Sequence, residues 1–564
     1  MTTNNVTVER DNHHSFLISV YLTAFVFLLY ALSTLGFYVG VPMNASIFPI
    51  SVVLTGYLFN LYGVRKFNLV STKGFIVLSA WAIIALLSSI AINYLFYDVS
   101  WDGQTYHLEG VIALDQGWDP VYSVSPDAKV HDLWLTHYPK FTWVIGAAVY
   151  SFFGAINTVK FYNLLFVIIA FLYSRYIYSN IFKLGKGYSF LLALLTGITP
   201  ITAVQLFTNY VDGLLHLVFA ITLLGMYTLL FDKDRKYRQL HHIVVFSNLI
   251  FMINIKMTGA VYACILVFIF GILQLIYLRK VKLAVVKSAF LLCSVLLGLT
   301  LFGMNPYITN IVNKGHIFYP LMGKNKMVFS QGGEFDSYSP VKKFWLSISS
   351  RPVNSVQTEE MKRVNLQAFK PANIVTDFKK FFIPDMRTNA FGPLSFPLFI
   401  LSGILILYVL AASRRQMLTE KLFLIVSIIG TVMVNSEAWQ LRYASQLWLL
   451  FVAVLLFVTQ EKKLHSRVIS FIISAIMLTN IYGIFTTNFS FQILASDVRE
   501  NEFAAIKQEF ESVQVNFNTF YSTRILFQEH DIPYEEINEP PQEFRGFSFS
   551  DIQFNGVTNE AKTE

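Results

Sequence analysis

Three short stretches and two isolated cations hold the residues best suited to chemistry. The densest stretch is Tyr97-Asp98-Val99-Ser100-Trp101-Asp102-Gly103-Gln104-Thr105-Tyr106-His107-Leu108-Glu109, directly after a long apolar segment. Helix-compatible residues from Asp102 onward predict a short helix, with Asp102 as its N-cap and Gly117 just past its end. On such a helix Tyr106 and Glu109 stand at i+4 and i+7 from Asp102, on one face. A carboxylate so placed suits a general base or a metal ligand. The plainer reading is a helix cap. Asp98, at the end of the preceding segment, and His107 are further candidates to touch substrate.

The second stretch, Thr136-His137-Tyr138-Pro139-Lys140-Phe141-Thr142-Trp143, opens another apolar segment. Its Lys140 suits a phosphate as a compact point charge, or a lysine snorkelling among aromatics. The third, Gln205-Leu206-Phe207-Thr208-Asn209-Tyr210-Val211-Asp212-Gly213, puts Asp212 at the edge of an apolar helix. A carboxylate there is costly unless hydrated or partnered, which favours a functional role over a cap. Lys256 lies between two apolar segments, and Arg442 lies near Glu437. Either cation suits a phosphate, and an Arg442–Glu437 pair is the structural alternative. His216, alone in an apolar helix, reads as a packed core residue.

Something must hold these stretches at one level, and composition says what. Of the 564 residues 54% are hydrophobic and 14% charged, with mean hydropathy +0.52. Soluble domains carry about 25% charged residues. Apolar segments long enough to cross a bilayer recur along the chain, so the fold class is an all-α polytopic membrane protein. Both cysteines, Cys264 and Cys293, lie inside apolar segments, which argues against a disulfide framework or a zinc site. No basic run with interleaved aromatics suggests nucleic-acid binding.

Charge gives an orientation. Short basic loops at 65–73, 183–187, 232–241, 279–287, 414–421 and 461–467 belong in the cytoplasm, whereas 98–140, with seven acids and two lysines, belongs outside. An odd number of crossings must then separate 98–140 from 183–187. The short segment 141–156, interrupted by Gly146 and Gly154, is therefore read as half-inserted. This leaves 13 spans in a transmembrane domain over 1–486, N-terminus inside and C-terminus outside. Two large outer regions, 98–160 and 304–393, interrupt it. The tail 487–564 has 14 acids against five bases and reads as a small α/β appendage on the outer face.

In order and common location, Asp102, Tyr138-Pro139-Lys140, Asp212 and the late Arg442-Tyr443 resemble the GT-C superfamily of polytopic glycosyltransferases. The resemblance implies a bacterial cytoplasmic-membrane enzyme using a polyprenyl-phosphate-linked sugar donor. Its acceptor would be a glycan, lipid or protein of the cell envelope, with membrane lipids around it. Asp102 would be the base, and Asp212 a second catalytic residue that orients donor or acceptor hydroxyls. Asp98, Tyr106, His107, Glu109, Tyr138, Lys140, Lys256 and Arg442 would contact substrate. The sequence departs from the family where many members have a second, adjacent acid, because Gly103 follows Asp102. A divalent cation remains compatible with the pattern, but a single carboxylate is a poor site for one. Two other classes fit the hydropathy: a transporter or flippase for lipid-linked sugars, and a non-catalytic envelope-assembly subunit.

Overall fold

Apolar residues with few interior charges form helices that bury their polar backbone within themselves, as a bilayer requires. In the computed structural model, which describes residues 3–234, 236–278, 281–328, 333–357, 367–413, 415–461, 464–539 and 543–557, such helices dominate. Among the described residues eight are long and apolar enough to cross a membrane: His13–Tyr38, Ile47–Lys66, Thr72–Tyr94, Ile156–Ile181, Asp212–Phe231, Met257–Tyr277, Leu441–Gln460 and His465–Glu509. A ninth is counted if Ser288–Leu299 and Met304–Lys314, bent by 75°, form one span. The expected count of 13 is not reached on this measure, for local reasons. Lys186–Gly197 stops just ahead of Pro200, Ser395–Ala411 has 17 residues, and Arg238–Ile255 opens on Arg238, His241 and His242. Of the basic loop residues that set the expected orientation, Arg235, Arg279, Lys280, Arg414, Lys462 and Lys463 lie outside the described residues, as do residues 558–564 of the tail.

Burial separates the centre of the bundle from its rim. The helix Asp212–Phe231 is 89% buried over its apolar window, whereas Thr72–Tyr94 is 28% buried and turns Ile76, Trp81 and Leu87 outward. Helices in lipid associate through close packing rather than through a hydrophobic drive. Gly225 shows this, since a Cβ there would come within 2.5 Å of Val245 and 2.8 Å of the Tyr173 hydroxyl. The helices Arg238–Ile255 and Met257–Leu278 are joined through Lys256 alone, whose backbone is extended (φ −157°, ψ 148°). Gly259 makes that approach possible, because a Cβ there would meet the Met252 carbonyl at 2.0 Å.

The apolar helix Phe141–Phe153 has 13 residues. Lys140 at its start bonds Asn305 Oδ1 (2.7 Å), and the Ile156 amide beyond its end donates to Glu529 (2.8 Å) in the C-terminal domain. The helix Leu464–Glu509, 46 residues long, runs unbroken past residue 487 and feeds that domain. There a four-stranded sheet in the order β4-β3-β6-β5 is built from β3 (Ser512–Asn516), β4 (Tyr534–Glu536), β5 (Arg545–Gly546) and β6 (Gln553–Val557). β3 pairs parallel with β4 and antiparallel with β6. In the region 304–393 a two-stranded antiparallel pair, β1 (Val353–Asn354) and β2 (Met386–Thr388), is braced by an Arg351–Asp377 ion pair at 2.6 Å.

Candidate active site

The first loop departs from the expected cap at once. The helical turn already contains Trp101 and Asp102, and residues 103–107 wind as a π-helix before Leu108–Asp115 continues as α-helix. The Asp102 side chain therefore caps nothing. Asp98 orders the turn instead. Its Oδ1 accepts from the Ser100 amide (2.9 Å) and hydroxyl (2.5 Å), and its Oδ2 accepts from the Asn209 amide (2.6 Å) and side chain (2.7 Å). With all four bonds made, Asp98 ties the first loop to the loop before Asp212 and has no capacity left for substrate. Gly103 is its corollary: a Cβ there would lie 2.0 Å from Asp98 Oδ2, so position 103 has no room for a second acid.

The extra residue of the π-turn also breaks the expected i+7 register. Glu109 points away from Asp102 and forms a buried bidentate pair with Arg524 (2.5 and 3.0 Å), pinning the C-terminal domain to the loop. Lys140 is likewise committed. Its Nζ donates to the carbonyls of Thr136 (3.3 Å) and Tyr138 (2.9 Å) and to Asn305, between the rings of Trp118 and Trp143. Tyr106, His107 and Tyr138 form an aromatic wall with Trp143. The His107 ring lies 4.4 Å from Tyr106 and 5.4 Å from Tyr138, and its Nδ1 accepts from Trp143 Nε1 (2.9 Å). Burial, aided by Lys256, pushes His107 down to about 3, so the ring is neutral.

The other expected residues converge on Arg442, which enters from the turn Leu441–Leu447 and is 3% exposed. Its Nη1 stands 3.6 Å from Asp212 Oδ2 and 4.0 Å from Asp102 Oδ2. Its Nη2 stands 3.0 Å from Asp385 Oδ1 and donates to the Tyr443 hydroxyl (2.7 Å). The expected Glu437 alternative is not taken, since Glu437 accepts from Trp439. Lys256 caps the other Asp212 oxygen at 2.6 Å and lies 3.9 Å from the centre of the Tyr443 ring. Gln205 completes the cradle: its amide nitrogen donates to Asp212 (3.3 Å), and its oxygen accepts from the Gly213 amide (2.7 Å). His216 is packed as expected, between the carbonyls of Ser445 and Thr196.

Asp102 alone among these acids is left open. Its side chain is 25% exposed, and no hydrogen bond from the described residues reaches its carboxylate. Burial pushes the group up to about 6 against the pull of Arg442, with Asp385 and Asp212 adding to the rise. Arg442 Nε and Nη1 also lack hydrogen-bond acceptors among the described residues. The arrangement thus offers a proton acceptor near neutrality beside a guanidinium and an ammonium. Among the described residues no group of three or more His, Cys, Asp or Glu is arranged to hold a metal. The carboxylates here face Arg442 and Lys256.

Sequence reasoning missed Asp385 and Arg387, which flank Met386 on β2 and pair with each other at 2.9 Å. It also missed Tyr210, whose ring centre lies 5.3 Å from the Arg442 guanidinium carbon. Tyr210 sat inside a quoted stretch, but nothing local marked Asp385 among the charges of its long basic loop. No family model matches the chain, and no curated protein matches it. Among solved structures the chain is similar to the crystal structure of ArnT from Cupriavidus metallidurans bound to undecaprenyl phosphate, at 14% sequence identity and a TM-score of 0.41, over 84% of this chain and 87% of that chain.

Proposed function

We propose that the protein is a GT-C-type glycosyltransferase. It moves a sugar from a polyprenyl-phosphate donor to a cell-envelope acceptor on the outer face of a bacterial cytoplasmic membrane. A lipid-anchored phosphate can present its sugar only near headgroup depth, and Asp102, Lys256 and Arg442 gather at the ends of the membrane helices. Asp102 takes the proton of an acceptor hydroxyl as that oxygen attacks the anomeric carbon. The bond from that carbon to the phosphate oxygen breaks, and its electron pair leaves with the polyprenyl phosphate. Lys256 and Arg442 stabilise the charge that grows there. One displacement inverts the anomeric centre. Asp212 holds both cations in place rather than touching the acceptor.

The observation that carries this reading is an Asp102 carboxylate that no hydrogen bond from the described residues reaches, beside an Arg442 guanidinium that those residues leave incompletely bonded. The test is sugar release by the purified protein in nanodiscs from a panel of undecaprenyl-phosphate-linked hexoses and pentoses, with envelope glycans and lipids as acceptors. Transfer with equimolar release of undecaprenyl phosphate is expected. Movement of the intact lipid-linked sugar across a sealed bilayer without cleavage would replace the enzyme by a transporter.

A further inference from the structure

Three buried polar atoms, on Tyr210 and Asp385 next to Arg442 and on Arg387, which pairs with Asp385, have no hydrogen-bond partner among the described residues, although each is able to make one: Tyr210 Oη, Asp385 Oδ1 and Arg387 Nε. Asp385 Oδ1 lies 3.0 Å from Arg442 Nη2 without the alignment of a hydrogen bond. Such atoms are costly to leave unmatched, and their types describe the missing partner. One accepts, one donates and one can do either. A phosphate supplies acceptors only and is repelled by Asp385. An isoprenoid supplies neither donors nor acceptors. Neighbouring hydroxyl groups supply both.

The frame behind these atoms is fixed. The Asp385 carbonyl accepts from the Ser355 amide (2.9 Å), Arg387 Nη2 is held by Asp385 Oδ2 (2.9 Å), and β2 is paired with β1. Tyr210 is 2% exposed and reaches the site from the loop that Asp98 anchors through Asn209. We propose that Tyr210, Asp385 and Arg387 form a subsite that reads hydroxyl groups on the sugar ring of the donor. The proposal rests on the lipid-linked-sugar reading above. It makes the region 304–393 a determinant of which sugar is accepted, while Lys256 and Arg442 hold the phosphate common to all donors.

The test compares binding of bare undecaprenyl phosphate with binding of undecaprenyl-phosphate-linked hexoses and pentoses to the full-length protein in nanodiscs. Wild type should prefer at least one sugar-bearing lipid. Tyr210→Phe, which removes a single oxygen, should cut that preference by about tenfold and leave the affinity for undecaprenyl phosphate unchanged. Asp385→Asn and Arg387→Gln should cut it as well, and Lys256→Ala should weaken every lipid alike. If Asp385→Asn fails to fold, Tyr210→Phe and Arg387→Gln carry the test. A Tyr210→Phe protein with the wild-type preference, or one losing bare and sugar-bearing lipids equally, overturns the subsite. Wild type that holds undecaprenyl phosphate without preferring any sugar overturns the subsite alone. Wild type that holds neither kind of lipid overturns the reading on which it rests.

Discussion

Asp98 and Asp102 lie four residues apart on one loop and have opposite surroundings. The Asp98 carboxylate accepts four hydrogen bonds and the residue is 7% exposed, whereas the Asp102 carboxylate accepts none from the described residues and its side chain is 25% exposed. Asp98 holds two loops in register so that Asp102, carried on the next turn, is left open beside Arg442. The same division separates the lysines. Lys140 spends its donors on two carbonyls and Asn305, while Lys256 faces Asp212 and the Tyr443 ring. A charged side chain whose bonds are complete builds the frame, and one whose bonds are incomplete is available to a ligand.

The sharpest way to break this comparison is to make the same change at both acids. Asp102→Asn should lower transfer by about 10²–10⁴-fold with thermal stability unchanged or raised, because a carboxylate pushed up to about 6 is disfavoured in the folded protein at pH above that value. Asp98→Asn should do the reverse. It turns one acceptor oxygen into an amide nitrogen facing two donors, weakens the bonds to the other oxygen and lowers stability by about 2–3 kcal/mol, while transfer per folded molecule is retained. Turnover and unfolding temperature, measured on both variants in one detergent, check the pair. Equal loss of turnover in both would erase the distinction.

A more local effect, outside the transfer chemistry, is expected at the C-terminal domain. Glu109→Gln leaves Arg524 buried without its carboxylate, and breaking such a pair costs about 3–5 kcal/mol. Hydrogen exchange at Arg524–Glu529 should therefore quicken, with the Lys256–Asp212 side of the site unaffected in its binding of undecaprenyl phosphate. Slow exchange in that variant would show that the apolar contacts of the domain suffice to hold it.

The polytopic class was legible from composition, and so was the placing of Asp102, Asp212, Lys256 and Arg442 among the residues worth watching, because charges at the ends of apolar helices are rare and visible. The roles within the first loop were not. The partners that complete Asp98 come from Asn209, more than a hundred residues on, and no local pattern encodes that meeting. Glu109 was misplaced because a π-turn adds a residue to the winding, and spacing arguments assume regular α-helix. Asp385 and Arg387 were hidden by their surroundings: in a long loop with many lysines, only tertiary packing on Arg442 distinguishes one acid from the rest. The thirteen expected spans came from apolar runs and the parity of loop charges, whereas Pro200 and the polar opening of Arg238–Ile255 shorten the helices that form.

The measurement that tests the central claim most directly is the pH dependence of single-turnover sugar transfer, for the wild type and for Asp102→Asn. A base acts only when deprotonated. With Asp102 pushed up to about 6, the wild-type rate should rise about tenfold per pH unit below that value and level off above it. In Asp102→Asn the residual rate should be flat across the same window. A rising limb that persists unchanged in Asp102→Asn would assign the titration, and the base, to another group.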